Sequence, residues 1–122
     1  MSQRPLFIAG EGGHHTYRIP ALLRTRQGTL LAFCEGRRES ARDDAETDLL
    51  MRRSADGGAT WFDVQCVARR AGYTCGNPCP VQDRDTGTIW LPFTRNPAGR
   101  GEDLVLRGES QRTVWLTWSE DE

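Results

Sequence analysis

The segment Ser54-Ala55-Asp56-Gly57-Gly58-Ala59-Thr60-Trp61 decides the fold class of this chain of 122 residues. Ser and Asp side chains can accept hydrogen bonds from nearby backbone N–H groups and so fix a tight turn. Gly57 and Gly58 permit a positive φ, and Trp61 offers a large apolar face with one N–H donor that can wedge between sheets. The pattern therefore predicts a tight hairpin between two β-strands.

Short apolar runs bounded by turn residues occur on both sides of this hairpin. They cover residues 19–23, 29–33, 47–53, 61–67, 88–94 and 113–118. The thirteen Gly and six Pro residues agree with many turns. Short strands separated by turn residues predict an all-β chain.

The pattern of the first half begins again in the second half. Pro20 matches Pro80 at an offset of 60 residues, and Ser54 matches Ser119 at an offset of 65. Repeats of four short strands at such a period predict the blades of a β-propeller, with blade one at about 17–70 and a partial blade two at about 75–122. Because a propeller closes with about four to eight blades, the sequence predicts an incomplete propeller whose remaining blades are missing from this chain. A small free-standing β-sandwich is the alternative.

A second motif, Tyr17-Arg18-Ile19-Pro20, places an Arg immediately before an apolar run. The guanidinium group is a planar, permanently charged fork that binds a carboxylate through two hydrogen bonds, which Lys cannot reproduce. Arg18 is therefore a candidate for carboxylate binding. The alternative for an isolated Arg at this position is a solvated strand residue.

A charged stretch lies between these two motifs. It reads Glu35-Gly36-Arg37-Arg38 and continues, two residues later, with Ala41-Arg42-Asp43-Asp44-Ala45-Glu46-Thr47-Asp48. Glu46 and Asp48 lie closest to the following strand, and we expect both to be solvated acidic residues.

The three motifs, in this order, resemble the sialidase superfamily, in which the repeated hairpin is called the Asp box or BNR repeat. The resemblance extends from about Tyr17 to the end of the chain and implies a six-bladed β-propeller, of which this chain holds an amino-terminal fragment of about two blades. It also implies that the Asp box is a structural hairpin away from the reaction centre. The box comprises Ser54, Asp56, Gly58, Thr60 and Trp61.

The resemblance also implies the roles of individual side chains. Arg18 would be one of three Arg residues that bind the substrate carboxylate, and Arg37 would support it. Asp43 would be the general acid and base, with Asp44 as the second choice. Asn77, in Asn77-Pro78-Cys79-Pro80, would contact the substrate.

The implied function is that of a retaining exo-α-sialidase, a glycoside hydrolase that removes terminal sialic acid from glycoconjugates. Glycoside cleavage requires a proton donor at the leaving oxygen, and sialidases use a Tyr nucleophile. That Tyr, its Glu partner and two further Arg residues would lie farther along a full-length chain, so we expect the fragment alone to be inactive. The alternative is a non-catalytic Asp-box propeller that binds glycan or protein. A lyase or transferase of the same fold would share these early residues.

Composition excludes several other classes. The net charge of -1, from 16 basic and 17 acidic side chains, argues against a nucleic-acid partner, and no apolar stretch is long enough to span a membrane. Residues 1–13 contain no signal-peptide core, which favours the cytoplasm, whereas secretion or a periplasmic location stays open if Met1 is not the native start. Cys34, Cys66, Cys75 and Cys79 do not complete a zinc site, so the sequence suggests no metal and no cofactor.

Overall fold

The computed structural model describes residues 2–121. Over this range the chain forms eight β-strands and one short helix. The elements are β1 (Thr16–Arg24), β2 (Leu30–Arg37), β3 (Thr47–Ser54), β4 (Gln65–Ala68), β5 (Tyr73–Gly76), β6 (Val81–Gln82), β7 (Ile89–Pro97), α1 (Glu102–Leu106) and β8 (Thr113–Ser119). Within the same range, no helix is long and apolar enough to cross a membrane.

The strands form one curled sheet in the order β1-β2-β3-β5-β7-β6, with β4 also paired to β3 and β8 also paired to β7. Strands β1 to β4 pair antiparallel with their neighbours in chain order, and β5 to β8 form a second antiparallel unit around β7. A single parallel pair, Thr47 with Thr74, joins the two units. The all-β prediction is confirmed.

Both units begin with a strand that is interrupted by a bulge. In β1, Arg18 pairs with Glu35 and Ala21 with Phe33, so three steps on β1 oppose two on β2. The interruption in the second unit contains Asn77, which follows β5. Ile19 and Asn77 are the two non-glycine residues with positive φ in the described part of the chain, at 55° and 54°.

These two bulges correct the sequence alignment of the repeat. Each positive-φ residue precedes a proline, so the structural counterpart of Pro20 is Pro78 rather than Pro80. Proline has no N–H and cannot continue a strand ladder, which explains its place in the interruption. The match of Ser54 with Ser119 agrees with the structure, because the two residues pair with Leu30 on β2 and with Ile89 on β7, respectively.

The core lies between the two units. Alternate residues of a strand point to the same face of the sheet, and one face of β2 meets one face of β7. The buried apolar cluster takes residues from both units: Leu31, Phe33, Leu49, Cys75, Ile89, Leu91 and Phe93. Packing of the two faces therefore fixes the orientation of the two units relative to each other.

The Asp-box segment forms the connection between β3 and β4. The Asp56 carboxylate accepts hydrogen bonds from the Ser54 hydroxyl (2.9 Å) and from the backbone N–H of Thr60 (2.8 Å), and the Gly58 N–H donates to Ser54 Oγ (2.8 Å). Hydrogen bonds from Thr60 and Ser54 lower the pKa of Asp56 to about 2. Because Leu30 pairs with Ser54 while Arg37 pairs with Thr47, the box lies at the far end of β2 and β3 from Arg37. At 3.3 Å per residue, that separation is about 23 Å.

Two of the differences from the sequence predictions concern strands. Strand β5 was not predicted, because Tyr73–Gly76 shows no apolar alternation and lies between the two predicted blades. The fourth predicted strand, at 61–67, begins only at Gln65, because the Asp-box connection continues past Trp61.

Candidate active site

Three of the predicted site residues meet at one end of the first unit. Oδ1 of Asp43 lies 3.3 Å from Nη1 of Arg18 and 2.8 Å from Nη1 of Arg37. The two guanidinium groups come from neighbouring strands, and the carboxylate comes from the loop between β2 and β3. The structure thus brings two permanent positive charges and one exposed carboxylate to one place.

Arg37 is the rigid member of this group. Its side chain is only 2% exposed, and its guanidinium donates hydrogen bonds to Glu35 Oε2 from Nε (3.2 Å) and Nη2 (2.9 Å) and to the Ala41 carbonyl oxygen from Nη1 (2.6 Å). A buried charge needs such partners, since burial without them costs several kcal/mol in free energy, on the order of 3–5 when one partner of a buried pair is removed. Arg37 is therefore held in one orientation.

Arg18 is the exposed member, and the bulge in β1 directs it. Its side chain is about half exposed, and the next residue, Ile19, has a φ of 55°. A positive φ is unfavourable for a β-branched residue, and bulges beside functional sites re-aim side chains. The interruption at Ile19 and Pro20 ends the regular pairing directly after Arg18.

Asp43 and Asp44 differ in exposure and in their partners. The Asp43 side chain is 85% exposed and faces both Arg18 and Arg37, whereas that of Asp44 is only 12% exposed and pairs with Arg42 (Nε to Oδ1, 2.8 Å). The hydrogen bond from Arg42 lowers the pKa of Asp44. Because the Asp44 carboxylate is mostly buried and paired with Arg42, whereas Asp43 is exposed beside Arg18 and Arg37, Asp43 is the better candidate for the proton donor.

Asn77 lies at the bulge of the second unit. Its side-chain Nδ2 donates a hydrogen bond to Thr94 Oγ1 (2.9 Å), and its backbone N–H donates to Glu35 Oε1 (3.0 Å). The residue is exposed at the surface. Glu35 therefore joins Asn77 to Arg37, although sequence analysis assigned Glu35 no role. The spacing of Glu35 and Arg37 could have indicated their contact, because residues two positions apart on a strand have their side chains on the same face.

A buried ionic cluster lies on the other face of β2 and β3. Asp48 accepts hydrogen bonds from His14 Nε2 and Arg38 Nη2, both at 2.9 Å, and its side chain is 5% exposed. The prediction that Asp48 is solvated is therefore wrong, because His14 and Arg38 compensate its burial. Gly36 makes room for this contact, since a Cβ at that position would lie 2.7 Å from His14 Cδ2.

The cysteines divide into two buried and two exposed thiols. Cys34 and Cys75 are buried, Cys66 and Cys79 are exposed, and all four are free. Burial raises the pKa of Cys34 to about 12, with a smaller contribution from neighbouring Glu35. The buried Cys34 thus behaves as the small hydrophobic residue that its apolar run predicted.

The family assignment follows from comparison with known proteins. Residues 28–122 match the family described as BNR repeat-like domain. The chain belongs to this family, whose repeat is the Asp box, and its fold is that of the sialidase superfamily.

Curated relatives carry sialidase names. The chain is 36% identical over 115 residues to an exo-alpha-sialidase of Aspergillus fumigatus. This match covers 87% of this chain and 28% of the relative. It is 39% identical over 95 residues to a sialidase of Micromonospora viridifaciens, covering 73% of this chain and 14% of the relative. It is 41% identical over 100 residues to Sialidase-2 of Mus musculus, covering 77% of this chain and 26% of the relative. The chain thus spans less than a third of the length of each of these relatives.

Solved structures confirm the fold as part of a sialidase β-propeller. Hadza microbial sialidase Hz136 superimposes with a TM-score of 0.79 at 26% identity, over 93% of this chain and 25% of that chain. The NanB sialidase from Streptococcus pneumoniae superimposes with a TM-score of 0.75 at 18% identity, over 82% of this chain and 19% of that chain. The second likeness concerns the fold alone.

Proposed function

We propose that this chain supplies the first part of the active site of a retaining exo-α-sialidase, which removes terminal sialic acid from glycoconjugates. The observation that carries the proposal is the convergence of Arg18, Arg37 and Asp43, with Asp43 Oδ1 within 3.3 Å of both guanidinium groups. The sialidase names of the relatives support the substrate class. The proposal concerns the complete protein, in which further blades close the propeller.

Arg18 and Arg37 supply the binding site for an anion. Sialic acid carries a carboxylate on its anomeric carbon, which the guanidinium fork of Arg18 matches in charge and geometry and which Arg37 can bind through Nη1, the nitrogen that faces Asp43. Because the buried Arg37 is held by Glu35 and Ala41, little conformational entropy is lost when a ligand carboxylate replaces Asp43 beside it. Arg18 can adjust to the ligand, since its side chain is half exposed.

Asp43 supplies the proton. In the first step the Asp43 carboxyl donates its proton to the glycosidic oxygen, the bond from the anomeric carbon to that oxygen breaks, and the leaving group departs as an alcohol. A nucleophile forms the new bond at the anomeric carbon. In the second step Asp43 takes a proton from water, the water oxygen bonds to the anomeric carbon, and the bond to the nucleophile breaks. The net reaction consumes one water.

The nucleophile and the rest of the carboxylate clamp belong to the proposal for the complete protein. The sialidase resemblance implies a Tyr with a Glu partner and two further Arg residues, and we assign none of these roles to positions in this chain. The 122 residues alone would then bind the substrate incompletely and lack the group that attacks the anomeric carbon.

The proposal is tested by following the complete protein and an α-sialoside by proton NMR. The expected result is release of sialic acid first as the α-anomer, followed by slow mutarotation, because two displacements at the anomeric carbon retain its configuration. First appearance of the β-anomer would overturn the retaining mechanism. Binding of a sialylated glycan without any release would favour the non-catalytic propeller.

A further inference from the structure

Glu35 is a buried carboxylate with no direct part in the proposed reaction. Its side chain is 8% exposed, and it lies on β2 on the same face as Arg37. Carboxylates are almost never buried unless they are paired, because loss of hydration destabilises the charge. The hydrogen-bond partners of Glu35 therefore indicate its role in the structure.

The two oxygens of Glu35 serve two different structural units. Oε2 accepts both hydrogen bonds from the Nε and Nη2 edge of Arg37, at 3.2 Å and 2.9 Å. Oε1 accepts the backbone N–H of Asn77, at 3.0 Å, and Asn77 belongs to the bulge of the second unit. One carboxylate thus links the first unit to the second at the end of the core where Arg18, Arg37 and Asp43 meet.

The contact with Arg37 determines which edge of its guanidinium faces the candidate site. With Nε and Nη2 donating to Glu35, Nη1 is the nitrogen that faces Asp43 at 2.8 Å. A guanidinium without this partner would leave buried N–H groups unsatisfied and would rotate to find other acceptors.

The contact with Asn77 depends on the glycine before it. A Cβ on Gly76 would collide with Glu35 Oε1, so the absence of a side chain at position 76 allows the carboxylate to reach the strand end. The positive φ of Asn77 (54°) belongs to the same bulge. Gly76 and Glu35 are therefore matched across the boundary between the units, although they are 41 positions apart in the sequence.

We infer that Glu35 is a positioning residue, which orients Arg37 for the substrate carboxylate and ties it to the Asn77 bulge through one buried carboxylate. The inference rests on the proposed function, because it gives Arg37 a ligand. Glu35 itself touches no substrate and acts through Arg37.

The test uses the complete protein and a fluorogenic α-sialoside, with Glu35→Gln as the main variant. Gln keeps the size of the side chain but removes the charge and one acceptor, so Arg37 loses its fixed orientation. We expect kcat/KM to fall about ten- to a hundredfold, since small misplacements of a binding group have effects of that size. The loss should lie mainly in KM, because binding of the substrate carboxylate is weakened in the ground state and the transition state alike. Glu46→Gln is the matched control, since Glu46 is partly exposed and lies 3.6 Å from its nearest basic group, Arg38.

A double variant separates positioning from general stability. If Glu35 acts through Arg37, kcat/KM of Glu35→Gln/Arg37→Ala should equal that of Arg37→Ala within about twofold, because residues that act as a unit are not additive. A fall equal to the product of the two single losses would overturn the inference. A Glu35→Gln protein with wild-type KM and a lower kcat would also overturn it, since that result reports a smaller folded fraction.

Gly76→Ala provides a second variant if Glu35→Gln fails to fold. It retains both charged side chains and displaces only the Glu35 carboxylate. A rise in KM of at least about fivefold is expected, and an unchanged KM would overturn the inference.

The Arg37 Nε–H resonance gives a readout that is independent of activity. It should be protected from solvent exchange in the wild type and exposed in Glu35→Gln, and equal protection in both would contradict the Glu35 contact. A wild-type protein that shows this protection but neither binds nor cleaves sialosides would overturn the proposed function instead.

Discussion

At the scale of single residues, Asp43 occupies the place that the proposal gives to the substrate carboxylate. Its Oδ1 already contacts the guanidinium groups of Arg18 and Arg37. A ligand carboxylate must therefore displace Asp43, and the displaced side chain becomes available for the glycosidic oxygen. Carboxylate exchange would thus couple substrate binding to the placement of the proton donor.

This exchange predicts a gain of affinity when Asp43 is neutralised. In the complete protein, Asp43→Asn should bind N-acetylneuraminic acid about three- to tenfold more tightly, because the competing ion pairs, each worth about 0.2–1 kcal/mol when exposed, are removed. Isothermal titration calorimetry at low ionic strength measures the change. Asp44→Asn is the control, since Asp44 pairs with Arg42 instead. Equal or weaker binding by Asp43→Asn would rule out the exchange.

The acid role of Asp43 predicts a dependence on the leaving group. A good leaving group needs no protonation, whereas a sugar alcohol does, so Asp43→Ala should lose far more activity on sialyllactose than on an aryl sialoside. The difference should be on the order of a hundredfold, within the 10²–10⁴ range of general acid catalysis. Rates on the two substrates, measured for Asp43→Ala and for Asp44→Asn, decide between the two residues. Equal losses on both substrates would remove the acid role from Asp43.

The sequence could name Arg18, Arg37 and Asp43 as candidates because the motifs that contain them resemble those of sialidases. It could not supply the partners that hold them. Glu35 reaches Asn77 across 42 positions, and Asp48 reaches His14 across 34. Such contacts follow from the register of β2 against its neighbours and from the packing of the two units. A carboxylate in a charged stretch is ordinarily solvated, so composition alone predicts an exposed Asp48, whereas the residue is buried.

At the scale of secondary-structure elements, the Asp box is a hairpin held by one carboxylate. Asp56 accepts hydrogen bonds from the Ser54 hydroxyl and from both the backbone N–H and the hydroxyl of Thr60. These hydrogen bonds exist only in the folded chain, and they lower the pKa of Asp56 to about 2 from an ordinary value of about 3.9. The stabilisation is therefore fully present above about pH 4 and is lost as the pH falls through about 2.

Asp56→Asn should accordingly lower Tm at pH 7, and the difference in Tm from the wild type should shrink between pH 4 and pH 2. The Asn side chain has no charge to lose in this interval. Thermal unfolding of the complete protein at a series of pH values gives the comparison, with the exposed Asp63→Asn as the control. A difference that stays constant from pH 7 to pH 2 would show that the Asp56 charge does not hold the hairpin.

Local patterns could predict most elements, but not β5 or the repeat register. The runs at 47–53 and 113–118 correspond closely to β3 (Thr47–Ser54) and β8 (Thr113–Ser119). No element was predicted between the runs at 88–94 and 113–118, where the structure has the end of β7 (Ile89–Pro97) and α1 (Glu102–Leu106). Strand β5 forms because Thr74 pairs with the buried residues Thr47 and Asn96 and because Cys75 joins the buried apolar cluster. These are tertiary contacts, which local alternation does not reveal.

At the scale of the whole molecule, the second unit presents an apolar face that the described residues leave uncovered. Val114, Leu116 and Trp118 alternate along β8 on one face, with exposures of 77%, 49% and 59%, and the Trp118 ring lies 5.7 Å from that of Trp90 on β7. The other face of this unit packs on the first unit through Leu91 and Phe93. In a propeller each blade packs between two others, so this face is where a third blade would lie.

This face predicts opposite effects of one substitution in two molecules. In the 122-residue chain alone, Leu116→Lys should reduce self-association and the binding of the dye ANS, because it interrupts an exposed apolar patch. In the complete protein the same substitution should lower Tm by several degrees, because it buries an unpaired charge at a cost of a few kcal/mol. Leu106→Lys is the control in both molecules, since Leu106 is an isolated apolar side chain on α1 that is 79% exposed. The short chain should also release no product from a fluorogenic sialoside. If Leu116→Lys leaves the Tm of the complete protein unchanged, this face is open to solvent there, and the two units do not continue into a closed propeller through β8.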